Sequence, residues 1–70
     1  MMPLIYAEAG RSLIIKKIGG NPDVKKHLEE LGFVVGGEAK VLNSLGESLI
    51  VKVKETRVAV SKELAGKIMV

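Results

Sequence analysis

The sequence predicts a mostly-β domain with one main helix, arranged as a small, partly open barrel of five short strands. Three observations support this prediction. Aliphatic residues alternate over several short segments, which is the period of half-buried strands. Only one segment carries a full set of helix start and stop residues. Finally, 70 residues can build only one core, and 47% of them are hydrophobic.

The first predicted strand covers residues 12–18 and is rich in β-branched side chains. Its alternation places Leu13 and Ile15 on one face, whereas Ile18 has the opposite parity. We therefore expect a bulge near residues 16–17 that returns Ile18 to the core side. Such a kink would suit a tightly curved barrel.

The main helix is predicted to follow Gly19-Gly20. Asn21 can cap its N-terminus, Pro22 fits the first helical position, and Asp23 is favoured by the helix dipole. Gly32 supplies a left-handed stop. Residues at i, i+4 and i+7 form the apolar stripe, namely Val24, Leu28 and Leu31.

The rest of the chain predicts three antiparallel strands, a helical turn and a closing strand. The order is strand 38–43, loop 44–47, strand 49–54, turn 55–56, strand 57–60, a helical turn at 61–65 capped by Ser61, and strand 67–70. The expected inward residues are Ala39, Val41, Leu49, Val51, Val53, Val58 and Val60. Five short strands around one core predict an SH3-like barrel of order β-α-β-β-β-(helical turn)-β.

Composition disfavours several classes of function. Eleven Lys and Arg against eight Asp and Glu give a net charge of +3 at pH 7, with the two signs interleaved along the chain. A nucleic-acid-binding protein usually concentrates its basic residues on one face, so we expect no nucleic-acid partner. The chain has no cysteine and one histidine, and its serines have no evident base, so we expect no enzyme. No apolar run approaches a membrane span or a signal peptide, which predicts a cytoplasmic protein.

Read along its length, the chain resembles the FeoA family, ferrous iron transport protein A. The residues that carry the resemblance run in order through nearly the whole sequence. They are Leu4, Gly10, Ile18-Gly19-Gly20, Leu28 to Phe33 with Gly36, Leu49 to Val53, Arg57 to Ser61, and Ala65 to Val70.

The resemblance implies an accessory role in ferrous iron uptake. Proteins of this family are thought to dock on the cytoplasmic, GTP-binding region of the FeoB membrane transporter and to modulate it. Similar barrels also end iron-dependent repressors, so a stand-alone regulatory domain that binds a metal or a peptide is an alternative. A small nucleic-acid-binding barrel is a further one. No resident cofactor is expected, although a transient divalent metal and weak self-association stay open.

Two sets of residues are candidate sites. Asp23, His27 and Glu30 share one face of the predicted helix and are weak metal candidates, because an exposed polar face gives the same pattern. The candidate partner-binding residues lie on the outer face of the hairpin that joins strands 38–43 and 49–54. There Leu42 and Ile50 are expected to pair across the strands, Leu45 to lie at the loop tip, and Lys40 and Lys52 to rim the apolar surface. The alternative is that the helix or the arm 4–6 covers this surface.

Overall fold

The computed structural model describes residues 1–70, and strands dominate it. The elements are a 3-10 turn at Leu4–Tyr6, β1 (Ser12–Ile14), β2 (Lys17–Ile18), α1 (Pro22–Leu31), β3 (Glu38–Leu45), β4 (Ser48–Val53), β5 (Thr56–Ser61), α2 (Lys62–Ala65) and β6 (Ile68–Met69). The predicted mostly-β class with one main helix is confirmed. The strand count rises from five to six because the first predicted strand is divided.

The strands form two antiparallel sheets. One has four strands in the order β1-β3-β4-β5, and the other pairs β2 with β6. The N-terminus closes the second edge of the smaller sheet. The Met2 N–H donates to the Val70 carbonyl at 3.0 Å, and the Val70 N–H donates back to Met2 at 2.8 Å. Both ends of the chain are therefore held together at β6.

The predicted strand 12–18 passes between the two sheets. The Ile15 N–H donates to the Gly37 carbonyl at 2.9 Å, beside β3. The next N–H, of Lys16, donates to the Met69 carbonyl in β6 at 2.7 Å. The chain therefore leaves the four-stranded sheet at Ile15 and joins the two-stranded sheet at Lys16. The predicted bulge at this point was wrong. The prediction that Ile18 faces the core side was right, because Ile18 packs against the core.

Helix α1 has the ends that the sequence predicts. The Asn21 side chain accepts a hydrogen bond from the Val24 N–H at 2.9 Å. Gly32 has φ of 111° and ends the helix in the left-handed region, and the following Phe33 N–H donates to the Leu28 carbonyl at 2.9 Å. Of the predicted apolar stripe, Leu28 is fully buried, while Val24 and Leu31 are half-buried.

The β3–β4 hairpin has a shorter turn than expected, at Gly46–Glu47. A two-residue turn pairs Ser44 with the inward Leu49, so even-numbered positions of β3 face inward near the turn. Nearer the start of β3, away from the turn, the inward residues are odd-numbered: Ala39 and Val41. Because the side-chain period of a strand is two, one extra residue must reconcile the two parities. The register shift between Val41 and Asn43 shows that this residue is Leu42.

The β4–β5 turn lies at Lys54–Glu55, one residue earlier than predicted. Both residues have positive φ, of 50° and 63°. This geometry matches the twist of the flanking strands and normally favours Asn and Gly. Beyond β5, the Ser61 hydroxyl accepts a hydrogen bond from the Leu64 N–H at 3.1 Å, so the predicted cap of α2 is confirmed.

The core consists of 13 buried residues, all of them apolar: Leu4, Ile15, Leu28, Phe33, Ala39, Val41, Leu49, Val51, Val53, Val60, Ala65, Ile68 and Val70. No polar or charged side chain is buried. Val58, predicted to be buried, is half-buried against the same cluster. Polar chemistry is therefore confined to the surface.

Substituting Gly32 by Ala tests how tightly α1 is held against the sheet. A Cβ there would approach Val53 Cγ2 at 3.1 Å, in a conformation that L residues avoid. We expect a loss of about 2 kcal/mol in the free energy of unfolding, measured by urea denaturation. Gly36→Ala is the matched control, because Gly36 also has positive φ but no atom within 4 Å. Gly36→Ala should lose only about 1 kcal/mol in the free energy of unfolding. Equal losses for the two variants would refute close packing at Gly32.

The substitution Glu55→Gly should stabilise the chain by about 0.5–1 kcal/mol, because glycine adopts positive φ without strain. The ion pair that this substitution removes is weak, since the Glu55 carboxylate is 90% exposed and lies 3.5 Å from the Lys52 ammonium. The measurement is the urea midpoint beside that of Glu47→Gly, at a residue outside the positive-φ set. A lower midpoint for Glu55→Gly than for Glu47→Gly would contradict the expectation.

Candidate partner-binding surface

The outer face of the four-stranded sheet carries the two predicted rim lysines. Lys40 in β3 lies directly opposite Lys52 in β4. Their chain neighbours Ala39, Val51 and Val53 point into the core, so both lysines point outward. Lys52 makes one exposed ion pair, with the Glu55 carboxylate at 3.5 Å.

The expected pairing of Leu42 with Ile50 is wrong. Ile50 lies opposite Asn43 on one side and Ala59 on the other, because the bulge removes Leu42 from the register. Both Leu42 and Ile50 are half-buried rather than exposed. Neither belongs to the core or to the side chains that pack on it. The apolar surface is therefore present on the outer face, but it is narrower than predicted.

Leu45 is the most exposed member of the predicted set, at 62%. It ends β3 opposite Ser48 rather than lying at a loop tip. The two-residue turn that follows places it at the far end of the hairpin from the β4–β5 turn. Leu45 thus extends the apolar surface toward one end of the sheet.

The two elements that could have covered this surface pack elsewhere. Leu4 of the 3-10 turn is fully buried in the core, and Ile5 packs against the same cluster. The apolar residues of α1 also pack on the core. The side chains that could have shielded Leu42 and Ile50 are therefore committed to the inner side of the sheet.

A shallow depression of about 180 Å³ borders the two lysines. It is lined by Ser12, Glu38, Ala39, Lys40, Lys52, Lys54 and Glu55. The Ser12 hydroxyl donates to the exposed Glu38 carboxylate at 2.9 Å, and no histidine lines the depression. The depression offers charged groups for contact and no activated nucleophile.

A second hollow, of about 360 Å³, was missed by sequence reasoning. It lies between β2, α1 and the segment after the helix, and is lined by Ile18, Lys25, Glu29, Phe33, Val34 and Val35. Val35 is 64% exposed. The apolar pair Val34-Val35 directly after the helix stop is the pattern that could have indicated it.

The metal candidates on α1 do not converge. Asp23, His27 and Glu30 are all exposed, and no group of three His, Cys, Asp or Glu residues is placed to hold a metal ion. At a rise of 1.5 Å per residue, seven residues separate the two carboxylates by about 10 Å along the helix. The structure therefore does not bring the three side chains together as one set of ligands.

None of the helices has the length and apolar character needed to cross a membrane.

The sequence matches a known family over nearly its whole length. Residues 2–70 match the model of the FeoA domain. The chain is 33% identical over 70 residues to a protein of Methanocaldococcus jannaschii described as an Fe(2+) transport protein A, and it covers 85% of that protein.

Solved structures agree with this match. The crystal structure of an iron uptake regulatory protein, FeoA, has a TM-score of 0.89 and 31% identity, with 97% of this chain and 90% of that one covered. FeoA of Stenotrophomonas maltophilia, solved with zinc and described as an SH3 domain protein, has a TM-score of 0.82 and 28% identity over 99% and 88% of the two chains. The predicted SH3-like class is confirmed.

The same fold also occurs within a longer regulator. A manganese-dependent transcriptional repressor has a TM-score of 0.84 over 38% of its length, at 16% identity. That likeness concerns the fold alone, whereas the family match and the identity to an Fe(2+) transport protein extend over the whole sequence. This 70-residue chain belongs to the FeoA family.

Proposed function

We propose that this chain is a cytoplasmic accessory protein of ferrous iron uptake, which docks on the GTP-binding region of an FeoB-type transporter and modulates it. The observation that supports the proposal is the family match over residues 2–70, joined with a full-length relative described for Fe(2+) transport. Another relative in the family is described as possibly acting as a bacterial ferrous iron transport activating factor.

The distribution of polar groups favours contact rather than catalysis. All 13 buried residues are aliphatic or aromatic, so the interior holds no ionisable group that a reaction could use. The depression beside Lys40 and Lys52 is open and lined by lysines and glutamates at the surface. Such a surface can bind a partner through charge and apolar contact.

The docking surface we propose is the outer face of the β3–β4 hairpin. Leu42, Leu45 and Ile50 supply apolar area that packs on no core residue. Lys40 and Lys52 lie beside it and are opposed across the strands. Partly buried aliphatic groups with a charged rim are typical of protein interfaces of modest size.

A regulatory domain of repressor type is the second candidate, and the shared fold with the manganese-dependent repressor is the observation that favours it. The two candidates differ in genetic context and in partner. An accessory protein predicts a neighbouring gene for a transporter with a GTPase motif. A repressor domain predicts that the reading frame continues into a DNA-binding segment.

Titration against the cytoplasmic region of the cognate FeoB, with and without GTP, tests docking directly. Wild-type chain should bind, and Leu45→Asp or Ile50→Asp should weaken binding about tenfold or more, because each places a charge in the apolar contact. Calorimetry gives the dissociation constants, and circular dichroism checks that both variants fold.

Val35→Asp is the matched control for Leu45→Asp. Val35 is 64% exposed and precedes β3, at the opposite end of that strand from Leu45. Val35→Asp should leave binding to the FeoB region unchanged. Absence of wild-type binding in both nucleotide states would refute the proposed function, whereas equal effects of Val35→Asp and Leu45→Asp would refute only the assigned surface.

Divalent-ion binding should not depend on the α1 side chains. We expect His27→Ala to leave the affinity for Zn²⁺ or Fe²⁺ within about twofold of wild type, because one exposed imidazole adds little without converging ligands. Anaerobic calorimetry measures this, and Glu63→Ala serves as a control at another exposed site. A loss of affinity specific to His27→Ala would contradict the placement of the α1 residues.

A further inference from the structure

Three basic residues lie in a straight line across the outer face of the sheet. The register pairs Lys40 with Lys52, and Lys52 in turn with Arg57 of β5. Directly paired residues of antiparallel strands share a face, so all three side chains project from the same side. This set, Lys40, Lys52 and Arg57, is called the basic row below.

The basic row is only partly neutralised within the chain. The Glu55 carboxylate lies 3.5 Å from the Lys52 ammonium but is 90% exposed. The other nearby acid, Glu38, lines the depression with Lys40 and Lys52 and accepts a hydrogen bond from the neutral Ser12 hydroxyl at 2.9 Å, so two carboxylates lie beside the three cations of the row. Lys54 adds a further positive charge to the depression that these groups line. Like charges placed directly opposite each other oppose pairing, so the row lowers stability unless an anion lies against it.

Two aliphatic side chains, those of Ile50 and Ala59, lie beside the basic row. Ile50 lies between Asn43 and Ala59 on the same outer face, two residues along β4 from Lys52. Two residues of strand correspond to about 6.6 Å. The face therefore presents a line of positive charge and, one side chain away, the aliphatic side chains of Ile50 and Ala59.

The spacing of the basic row selects the geometry of its ligand. Neighbouring strands lie about 4.8 Å apart, so Lys40 and Arg57 are separated by about 10 Å. On a helix, residues i and i+7 are about 10.5 Å apart along the axis, and i and i+4 are neighbours on one face. In an extended segment, residues on one face recur only every 6.6 Å or so, which does not match three cations at this interval.

We infer that the basic row binds an acidic helix of the partner protein, which carries Asp or Glu at i, i+4 and i+7 and an aliphatic side chain on the adjacent stripe. This inference rests on the proposed docking function and specifies the chemistry of the partner's contact. The carboxylates lie against Lys40, Lys52 and Arg57, and the aliphatic side chain contacts Ile50. The helix axis crosses the strands.

A protein segment fits this face better than a nucleic acid does. The face presents no aromatic side chain for base stacking, since Phe33 is buried in the core and Tyr6 lies in the N-terminal 3-10 turn. Glu38 and Glu55 flank the basic row and would repel a continuous phosphate backbone. An acidic helix needs no stacking platform, and it can confine its carboxylates to the one stripe that lies on the basic row.

The experiment follows backbone amide shifts of ¹⁵N-labelled chain during titration with an alanine-based helical peptide of about 20 residues. The peptide carries Glu at i, i+4 and i+7 and Leu at i+3. We expect saturable shifts at residues 40, 52 and 57 that diminish as salt is raised. Lys52→Gln and Arg57→Gln should each lower affinity about threefold to tenfold. Lys26→Gln, an equal charge change on exposed α1, should not.

Two further probes identify the ligand class. A peptide with the same composition but its three Glu residues distributed around the helix should bind more weakly, and a single-stranded oligonucleotide of equal charge should bind no better than that control. The inference is overturned if the two peptides bind equally, if Lys26→Gln weakens binding as much as Lys52→Gln, or if the oligonucleotide binds the row more tightly than the acidic helix.

The outcome is separable from that of the proposed function, because the peptide experiment needs no transporter. If the FeoB region binds Lys52→Gln and Arg57→Gln as tightly as wild type, the basic row is not the contact although docking stands. If the FeoB region fails to bind while the peptide behaves as expected, the proposed function fails and the acidic-helix site stands.

Discussion

The constraint on which the structure depends is coverage of the inner face of one four-stranded sheet by a very short chain. No element is long enough to cover that face alone. Instead each one places one fully buried side chain on it: Leu4 from the 3-10 turn, Leu28 from α1, Ala65 from α2 and Ile68 from β6. A sheet face left open would expose aliphatic surface worth roughly 25 cal/mol per Å². Each short element is therefore required for the core.

This coverage fixes how the ends of the chain are used. β6 has only two residues, yet β2 pairs with one of its edges and the N-terminal residues with the other. The covering elements are thereby tied to one another by backbone hydrogen bonds rather than by buried polar side chains, of which there are none. Because the inner side takes up all of these elements, the outer face of β3, β4 and β5 keeps partly exposed aliphatic and charged residues.

How much of this could be predicted from sequence depends on the range of the interactions involved. Helix α1 and the cap at Ser61 were predictable because a cap is decided by residues three positions apart. The division of the first strand could not be predicted, because it depends on hydrogen bonds from Ile15 and Lys16 to residues far away in the chain. The hydrophobic pattern suggested only that the strand must bend.

The bulge at Leu42 is an intermediate case, and it changed the candidate site. The sequence does contain the parity conflict between the turn at Gly46–Glu47 and the inward residues of β3. Predicted strands that end at residue 43 and resume at residue 49 leave five residues between them, and an odd-numbered connection conceals that conflict. The expected contact between Leu42 and Ile50 therefore followed from a wrong turn length.

Side chains alternate between the two faces of each strand, and this alternation also explains why a chain with a small core can carry three cations in line. Lysine and arginine side chains are long, and on an uncovered face their charged ends can separate into water, so exposed like charges cost a few tenths of a kcal/mol each. An interface that excludes water from the row removes this freedom. The same three charges then oppose any partner without matching carboxylates by considerably more. The row thus imposes a small cost on the free chain and a larger one on mismatched partners, which makes it a determinant of specificity more than of affinity.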